Sequence, residues 1–232
     1  MSAEERAYVP VSEAERRCLL ELMQAALPGC DATTIEALLE SARVWTARRN
    51  TTIYRQGEPV PLTLILSGYG AFQRTTVDGQ QIATGVGGDG NLFGWSGVAS
   101  VRSSVELMAL TDCRIAQWPG PEIRALAAGD PALGLAAIDA MAFALHAMME
   151  RVEGFLHQDA RRRVMRILAR HRDLFFCDPA VLTRAHLPGL VGTSREMTGR
   201  VLRQLEREGT IARVGRAGLA LLRPERLEGD AA

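Results

Sequence analysis

The sequence predicts an α+β protein in three parts. An all-β sandwich or barrel follows two short helices, one long helix comes next, and a winged helix-turn-helix closes the chain. Three observations carry this. Residues 43–118 are rich in β-branched and aromatic residues and are broken every several positions by glycine or Asp-Gly. Apolar residues from Gly134 to Phe155 recur at alternating spacings of four and three. The stretch "LVGTSREMTGRVLRQLEREG" (190–209) sets a glycine turn and a capping serine before an amphipathic, arginine-bearing helix.

Ser12 can cap a helix over "SEAERRCLLELMQAAL" and Asp31 one over "DATTIEALLESA", with Pro28–Gly29 between them. Beyond Arg43 the texture turns to strands. Asp78–Gly79 is a hairpin turn, and Gly57 and Gly68 mark two more. "SSVELMAL" and "CRIAQWP" add two further strands. Many short strands at regular spacing are the pattern of a sandwich or barrel.

Asp130 then offers an N-cap and Pro131 a first helical residue. Gly134, Ile138, Met141, Leu145, Met148, Val152 and Phe155 form a coiled-coil seam over roughly three heptads. About 28 residues at 1.5 Å each make a helix of roughly 40 Å. The seam predicts pairing with a second copy through Ile138, Met141, Leu145, Met148, Val152 and Phe155. The small residues Ala137, Ala140, Ala144 and Ala147 lie off it and would let one flank sit close against the β-domain. Asp159 caps the next helix, "ARRRVMRILARH", which implies a hinge near His157–Gln158. The expected domains are therefore 1–129, 130–158 and 159–232.

The 232 residues carry no net charge, but the balance is uneven. Every basic side chain is arginine. Residues 1–158 hold 12 Arg against 18 acidic residues, a balance of −6, and residues 159–232 hold 15 against 9, a balance of +6. A basic C-terminal third points to a polyanion-binding module. The N-terminus "MSAEERAYVPVSEAERR" has no apolar core and does not read as a secretory signal. No apolar run is expected to approach a bilayer span. The expectation is a cytoplasmic protein with no membrane partner.

Cys18, Cys30, Cys113 and Cys177 are far apart and form no CxxC pair. That predicts buried, inert thiols rather than a disulfide framework or a metal site. Four scattered histidines, with no nucleophile–base constellation and no phosphate-cradling loop, argue against an enzyme.

In the C-terminal third, Thr183 can cap a short helix ending near Val191, Gly192 supplies the turn, and Ser194 caps a second helix that ends at Gly209. Val201, Leu202 and Leu205 form its apolar stripe, with Arg195, Glu196, Thr198, Gly199, Arg200 and Arg203 mainly away from it. "TIARVGRAGLALL" reads as a two-stranded wing with a basic, glycine-rich tip at Arg216. Side chains at the start of such a second helix enter the major groove of double-stranded DNA first. Arginine there can pair with guanine O6 and N7, and glutamate can accept from cytosine N4. Arg200 and Glu196, four apart, can equally form a helix salt bridge.

These residues resemble the winged helix-turn-helix of the cyclic-AMP receptor protein and fumarate–nitrate regulator (Crp/Fnr) family. "IYRQGEP…LILSG" followed by "DGQQI" is similar to its β-roll. The resemblance covers nearly the whole chain. It implies a jelly-roll sensor domain, a long dimerisation helix, a homodimer and regulation of transcription, with RNA polymerase as a further partner. By matching position it makes Arg195, Glu196 and Arg200 base readers of half-sites resembling TGTGA. Thr183, Thr193 and Ser194 would support phosphate contacts, and Arg203 and Arg216 are further backbone candidates. Pro188–Gly189 departs from the family pattern, because proline inside the first helix of the motif removes a hydrogen bond and can bend or shorten it.

The resemblance also places an effector cassette at "GDGNLFGWSGVASVRSSVELMAL", with Gly94, Trp95, Arg102 and Ser103 as pocket residues. Cyclic-AMP binders of the family have glutamate where Trp95 stands, and the segment before Arg102 is a few residues short. Indole donates a hydrogen bond but cannot accept one from ribose. It can stack on a base or fill the pocket. Arg102 can pair with a phosphate, or bond Glu106 or a loop carbonyl. The expected effector is not cyclic AMP in the usual mode. A cyclic dinucleotide, another metabolite, haem held through His146 or His157, or no ligand at all on a constitutive DNA-binding dimer remain open, and the cofactor is unknown.

Overall fold

A computed structural model describes residues 11–76, 79 and 81–229. Asp78 of the expected hairpin turn lies outside the described residues; Gly79 beside it has a φ of +74°. By packing, the chain divides into two compact units, Met1–Phe72 with Val86–His146, and Gln73–Gly85 with Ala147–Ala232.

In the first unit, α1 (Glu13–Ala26) opens with a capping box. The Ser12 hydroxyl accepts the Glu15 N–H at 3.3 Å, and the Glu15 carboxylate accepts the Ser12 N–H at 3.0 Å. That N–H, together with the Arg114 guanidinium at 2.7 Å, pushes the Glu15 carboxyl down to about 2. α2 (Ala32–Ser41) follows. Asp31 stands at its N-cap position, but its side chain makes no cap bond, which corrects the expectation. Its N–H is taken instead by the Asp130 carboxylate at 2.9 Å.

Among the described residues, eight strands then form two four-stranded sheets. They are β1 (Arg43–Ala47), β2 (Thr52–Tyr54), β3 (Leu62–Ser67), β4 (Gly70–Thr75), β5 (Gln81–Gly87), β6 (Leu92–Phe93), β7 (Glu106–Ala109) and β8 (Cys113–Trp118). The sheet orders are β1-β8-β3-β6 and β2-β7-β4-β5, the two-sheet arrangement expected of a jelly roll. The period-2 alternation of β3 and β8 sorts their side chains between two cores. Ile65, Cys113 and Ile115 join Trp45, Ile53 and Leu107 between the sheets. Leu62, Leu64, Ala116 and Trp118 face α1 and α2. A buried polar chain crosses the strands: Trp45 Nε1–H donates to Gln117 Oε1 at 2.9 Å, and Gln117 Nε2–H to Thr63 Oγ1 at 3.1 Å. Gly57 and Gly68 take φ of +83° and +95°, as turn residues should.

After α3 (Gly120–Gly129), α4 runs from Pro131 to His157. Asp130 caps it as expected, its carboxylate accepting the Ala132 N–H at 2.9 Å. The Asp31 N–H first, then the Thr34 hydroxyl and the start of α4, hold that carboxyl below its ordinary range. Leu133 and Ala137 are buried in the helix-side core, and Ala136 and Ala140 pack on it. Ala144 is exposed, so the close flank ends about two turns sooner than the alanine pattern suggested.

One sequence expectation is reversed here. α4 is long and apolar enough over 18 residues, with at most two charges, to cross a membrane. Interspersed alanines and methionines raise its apolar content without forming a continuous run of large residues. The thiols are also less uniform than expected, since Cys113 is buried but Cys18 is exposed.

In the second unit, α5 (Ala160–Arg170) is capped by Asp159, whose carboxylate accepts the Arg162 N–H at 2.7 Å. It packs on α7 (Leu187–Val191), α8 (Arg195–Arg207) and α9 (Pro224–Gly229), and α6 (Arg172–Phe175) follows it directly. Val164, Met165 and Leu168 are its fully buried face. β9 (Ile211–Val214) and β10 (Gly218–Leu221) make the antiparallel wing. Replacing the fully buried Leu133 with alanine is expected to destabilise the protein by roughly 2–5 kcal/mol. The midpoint of a urea titration measures it.

Candidate nucleic-acid interface and effector pocket

The second helix of the motif is built as its sequence dictates. The Ser194 hydroxyl accepts the Met197 N–H at 3.1 Å, and Gly209 ends the helix with a φ of +69°. Val201, Leu202 and Leu205 are buried, which turns the remaining surface outward. Arg195, Glu196, Arg200 and Arg203 are exposed along it. Thr198 is not part of that surface. It is 2% exposed, and its hydroxyl donates back to the Ser194 carbonyl at 3.0 Å, which corrects its assignment to the outer face.

Arg200 Nη2 lies 3.0 Å from Glu196 Oε1, with the two side chains 63% and 80% exposed. An exposed i,i+4 pair contributes only a few tenths of a kcal/mol, so it holds neither side chain against a competing partner. Thr193 sits at the turn, its N–H bonded to the Pro188 carbonyl at 3.0 Å. The Ser194 hydroxyl is engaged as an acceptor and keeps its own O–H as a donor. Arg216 is exposed at the wing tip. Its carbonyl accepts from the Arg184 guanidinium, and the Ala217 carbonyl accepts the Arg184 N–H at 3.2 Å. Arg184 therefore ties the wing to the entry of the motif, a role for which the sequence holds no local signal.

The first helix of the motif differs from the expectation. Thr183 does not cap it, since the helix starts only at Leu187 and His186 is its N-cap residue. The His186 side chain folds back, and its Nδ1 accepts the Thr183 N–H at 3.0 Å with the Thr183 hydroxyl 3.2 Å away. A three-residue Thr-to-His spacing before a proline is the signal that sequence reasoning passed over. Pro188 falls in the first turn of this five-residue helix, where its missing N–H costs no intrahelical bond. The helix is short, as the proline suggested.

Gly189 has a separate reason to be glycine. A Cβ there would stand 2.6 Å from Ile82 Cγ2 and 2.8 Å from the Ala83 nitrogen, on β5. Arg151 of α4 donates to the Thr84 carbonyl of the same strand at 2.7 Å. At the motif's turn, Gly192 has a φ of +68° and lies against the Phe155 ring, over which the Arg163 guanidinium sits at 5.3 Å.

The cassette residues of the first unit divide by burial. Gly94 takes a φ of +99°, and a Cβ would run into the backbone of Pro61 and Leu62. Trp95 opens a short 3-10 turn and is 7% exposed in the helix-side core. Its indole is spent on packing. Arg102 is exposed and donates to the Gly57 carbonyl at 2.8 Å, the loop-carbonyl alternative. Ser103 is buried, with its N–H on the Glu58 carbonyl at 2.9 Å and its hydroxyl on the Val105 carbonyl. His146 and His157 are both exposed on α4. No group of three or more His, Cys, Asp or Glu among the described residues is placed to hold a metal ion.

Burial lowers the pKa of His186, outweighing the opposing effect of the Thr183 backbone beside it. Burial, then the Arg170 charge, does the same for His171. Unfolded histidine takes up its proton near the ordinary value of 6.5, whereas these folded imidazoles wait until lower pH. Stability from this source is full above that value and is lost as pH falls through the folded pKa values. Urea titrations between pH 8 and 5 (an interval of about three units) should show this decline, and His186→Gln should flatten it.

Comparison with known proteins adds two family matches. Residues 44–130 match the model described as "Cyclic nucleotide-binding domain", and residues 151–229 match "Crp-like helix-turn-helix domain". No curated protein sequence matches the chain. Among solved structures, the c-di-GMP-responsive global regulator CLP of Xanthomonas campestris is similar at 26% identity and a TM-score of 0.66, over 82% of this chain and 99% of that one. FixK2 of Bradyrhizobium japonicum has 20% identity and a TM-score of 0.67, over 82% and 98%. A CRP/FNR-family transcriptional regulator of Thermus thermophilus has 20% identity and a TM-score of 0.64, over 81% and 97%.

Proposed function

Since the chain belongs to the Crp/Fnr family of DNA-binding transcription regulators, we propose that it works in the cytoplasm as a homodimer that reads a pseudo-palindromic operator under the control of a small-molecule effector. The observation that carries the reading is the sorting of α8. Its apolar stripe is buried, and Arg195, Glu196 and Arg200 stand in solvent at the helix start. Arg195 and Arg200 read guanine, Glu196 reads cytosine, and the half-site is TGTGA-like. Thr193, Ser194, Arg203 and Arg216 hold the phosphate backbone, and Thr183 acts with them through its bond to His186. RNA polymerase is the further partner at the promoter.

Pairing rests on α4. Ile138, Met141, Leu145, Met148 and Val152 are 45–62% exposed in the single chain, an apolar stripe that a second copy would cover. Two recognition helices would then be held about 34 Å apart, one turn of the duplex. The effector acts at the β-roll and the adjoining part of α4, with Arg102 as its anion contact, by favouring the arrangement with that spacing. The indole of Trp95 packs inward where a ribose-binding carboxylate would be needed, which supports an effector other than cyclic AMP in its usual mode. The CLP protein, described as responsive to c-di-GMP, makes a cyclic dinucleotide the first candidate to try.

Selection from a random DNA pool, followed by binding titrations, tests the reading. Arg195→Ala should cost about 1–3 kcal/mol on the selected operator and little on random DNA. Equal affinity for operator and random DNA in the wild type would sink the base-reading assignment. In sedimentation, Leu145→Asp should convert a dimer to a monomer and abolish operator binding. A wild type that already sediments as a monomer removes the seam.

A further inference from the structure

Three guanidinium groups in the second unit lie together, and none of them forms an ion pair with an acid among the described residues. Arg151 is on the last part of α4, and Arg166 and Arg170 are one turn apart on α5. A Cβ at Gly154 would stand 2.6 Å from one Arg166 Nη and 3.4 Å from its Cζ, so this guanidinium lies against the helix one turn beyond Arg151. Glycine at 154 is what lets it approach.

Arg151 is half-buried and gives one N–H to the Thr84 carbonyl. Desolvation and the charges of Arg170 and Arg166 pull its pKa down, and no carboxylate among the described residues offsets them. Arg163, on the same face of α5, is already committed: its Nη1 donates to the Phe155 and Gln158 carbonyls. Asp159, at the N-cap of α5, and Glu208, at the end of α8, are taken by the Arg162 N–H and by Arg161.

Like charges gathered on a partly buried surface destabilise a fold unless something negative joins them. Guanidinium is the side chain best matched to phosphate oxygens. We propose that Arg151, Arg166 and Arg170 form an anion site for a small ligand carrying two phosphate or phosphodiester groups. Two phosphodiesters, with one negative charge each, balance the cluster to within one unit, whereas a single phosphodiester leaves it doubly positive.

DNA is the less fitting occupant. Helical spacing sets Arg166 and Arg170 on the face of α5 opposite Val164, Met165 and Leu168, which pack toward α7 and α8. The site is also separate from Gly94, Trp95, Arg102 and Ser103, which belong to the first unit. Thr84 and Arg151 connect it to the β5 strand that rests on Gly189, so an occupied site would brace the strand against the motif's first helix.

The test uses the full-length protein, stripped of nucleotides and free of DNA, with pyrophosphate, cyclic di-GMP and cyclic AMP as probes. Calorimetry and thermal unfolding should show binding and stabilisation by pyrophosphate or cyclic di-GMP, and weaker effects from cyclic AMP. Arg166→Gln and Arg170→Gln should each weaken binding by about tenfold. The surface change Arg48→Gln, with the same loss of charge, should not. Without ligand, Arg170→Gln should melt at or above the wild-type temperature, because a repulsion is relieved.

No binding of pyrophosphate or cyclic di-GMP by folded wild-type protein would overturn the proposal. So would a lower melting point in ligand-free Arg170→Gln, or the loss of operator affinity in these variants without any phosphate-ligand effect. Because ligand binding is read without DNA, its failure and the failure of the operator-reading proposal are separate results.

Discussion

Much of this structure follows from one buried carboxylate. Asp130 is 4% exposed and accepts the backbone N–H of Asp31, across 99 residues, as well as that of Ala132. It therefore joins the start of α2 to the start of α4 and fixes the residue at which α4 begins. A helix advances 100° per residue, so its first residue decides which side each later one faces. With Pro131 first, Leu133 and Ala137 turn into the core, and Ile138, Met141 and Leu145 turn away from it. Shifting the start by one residue would bring Gly134 and Ile138 to the core and turn the whole outward stripe by about 100° around the axis.

The parts legible in the sequence are those decided by local chemistry. Ser12, Asp130, Asp159 and Ser194 each sit before a helix with an oxygen at the right reach, and each caps. Gly57, Gly68, Gly192 and Gly209 all adopt the positive φ that their turns require. Short strands at regular spacing predicted the sandwich or barrel, although not which faces of β3 and β8 meet helices. Asp31 and Thr183 failed as caps because other groups claimed their surroundings: the Asp130 carboxylate from far away in one case, and the imidazole of His186 in the other.

What remained hidden depends on pairs distant in sequence. Nothing in "LPGLVG" announces that Gly189 must clear Ala83, or that Gly192 must clear Phe155. A proline read as a disturbance turns out to occupy the harmless first turn, and the glycine after it carries the greater constraint. Trp95 was ambiguous for the same reason. Stacking on a ligand and filling a core look alike until the neighbours are known, and here those neighbours are the apolar side chains beneath the helices.

The packing of the indoles has a consequence for observing the molecule. Trp45, Trp95 and Trp118 are all buried, and all belong to the unit that contains the sheets' cores. The DNA-binding half has no tryptophan and no tyrosine, only phenylalanines. Ultraviolet emission from this protein thus reports one half of the chain. Melting, hydration or rearrangement confined to the other half is silent in that emission, and seeing it by fluorescence calls for a fluorophore placed there.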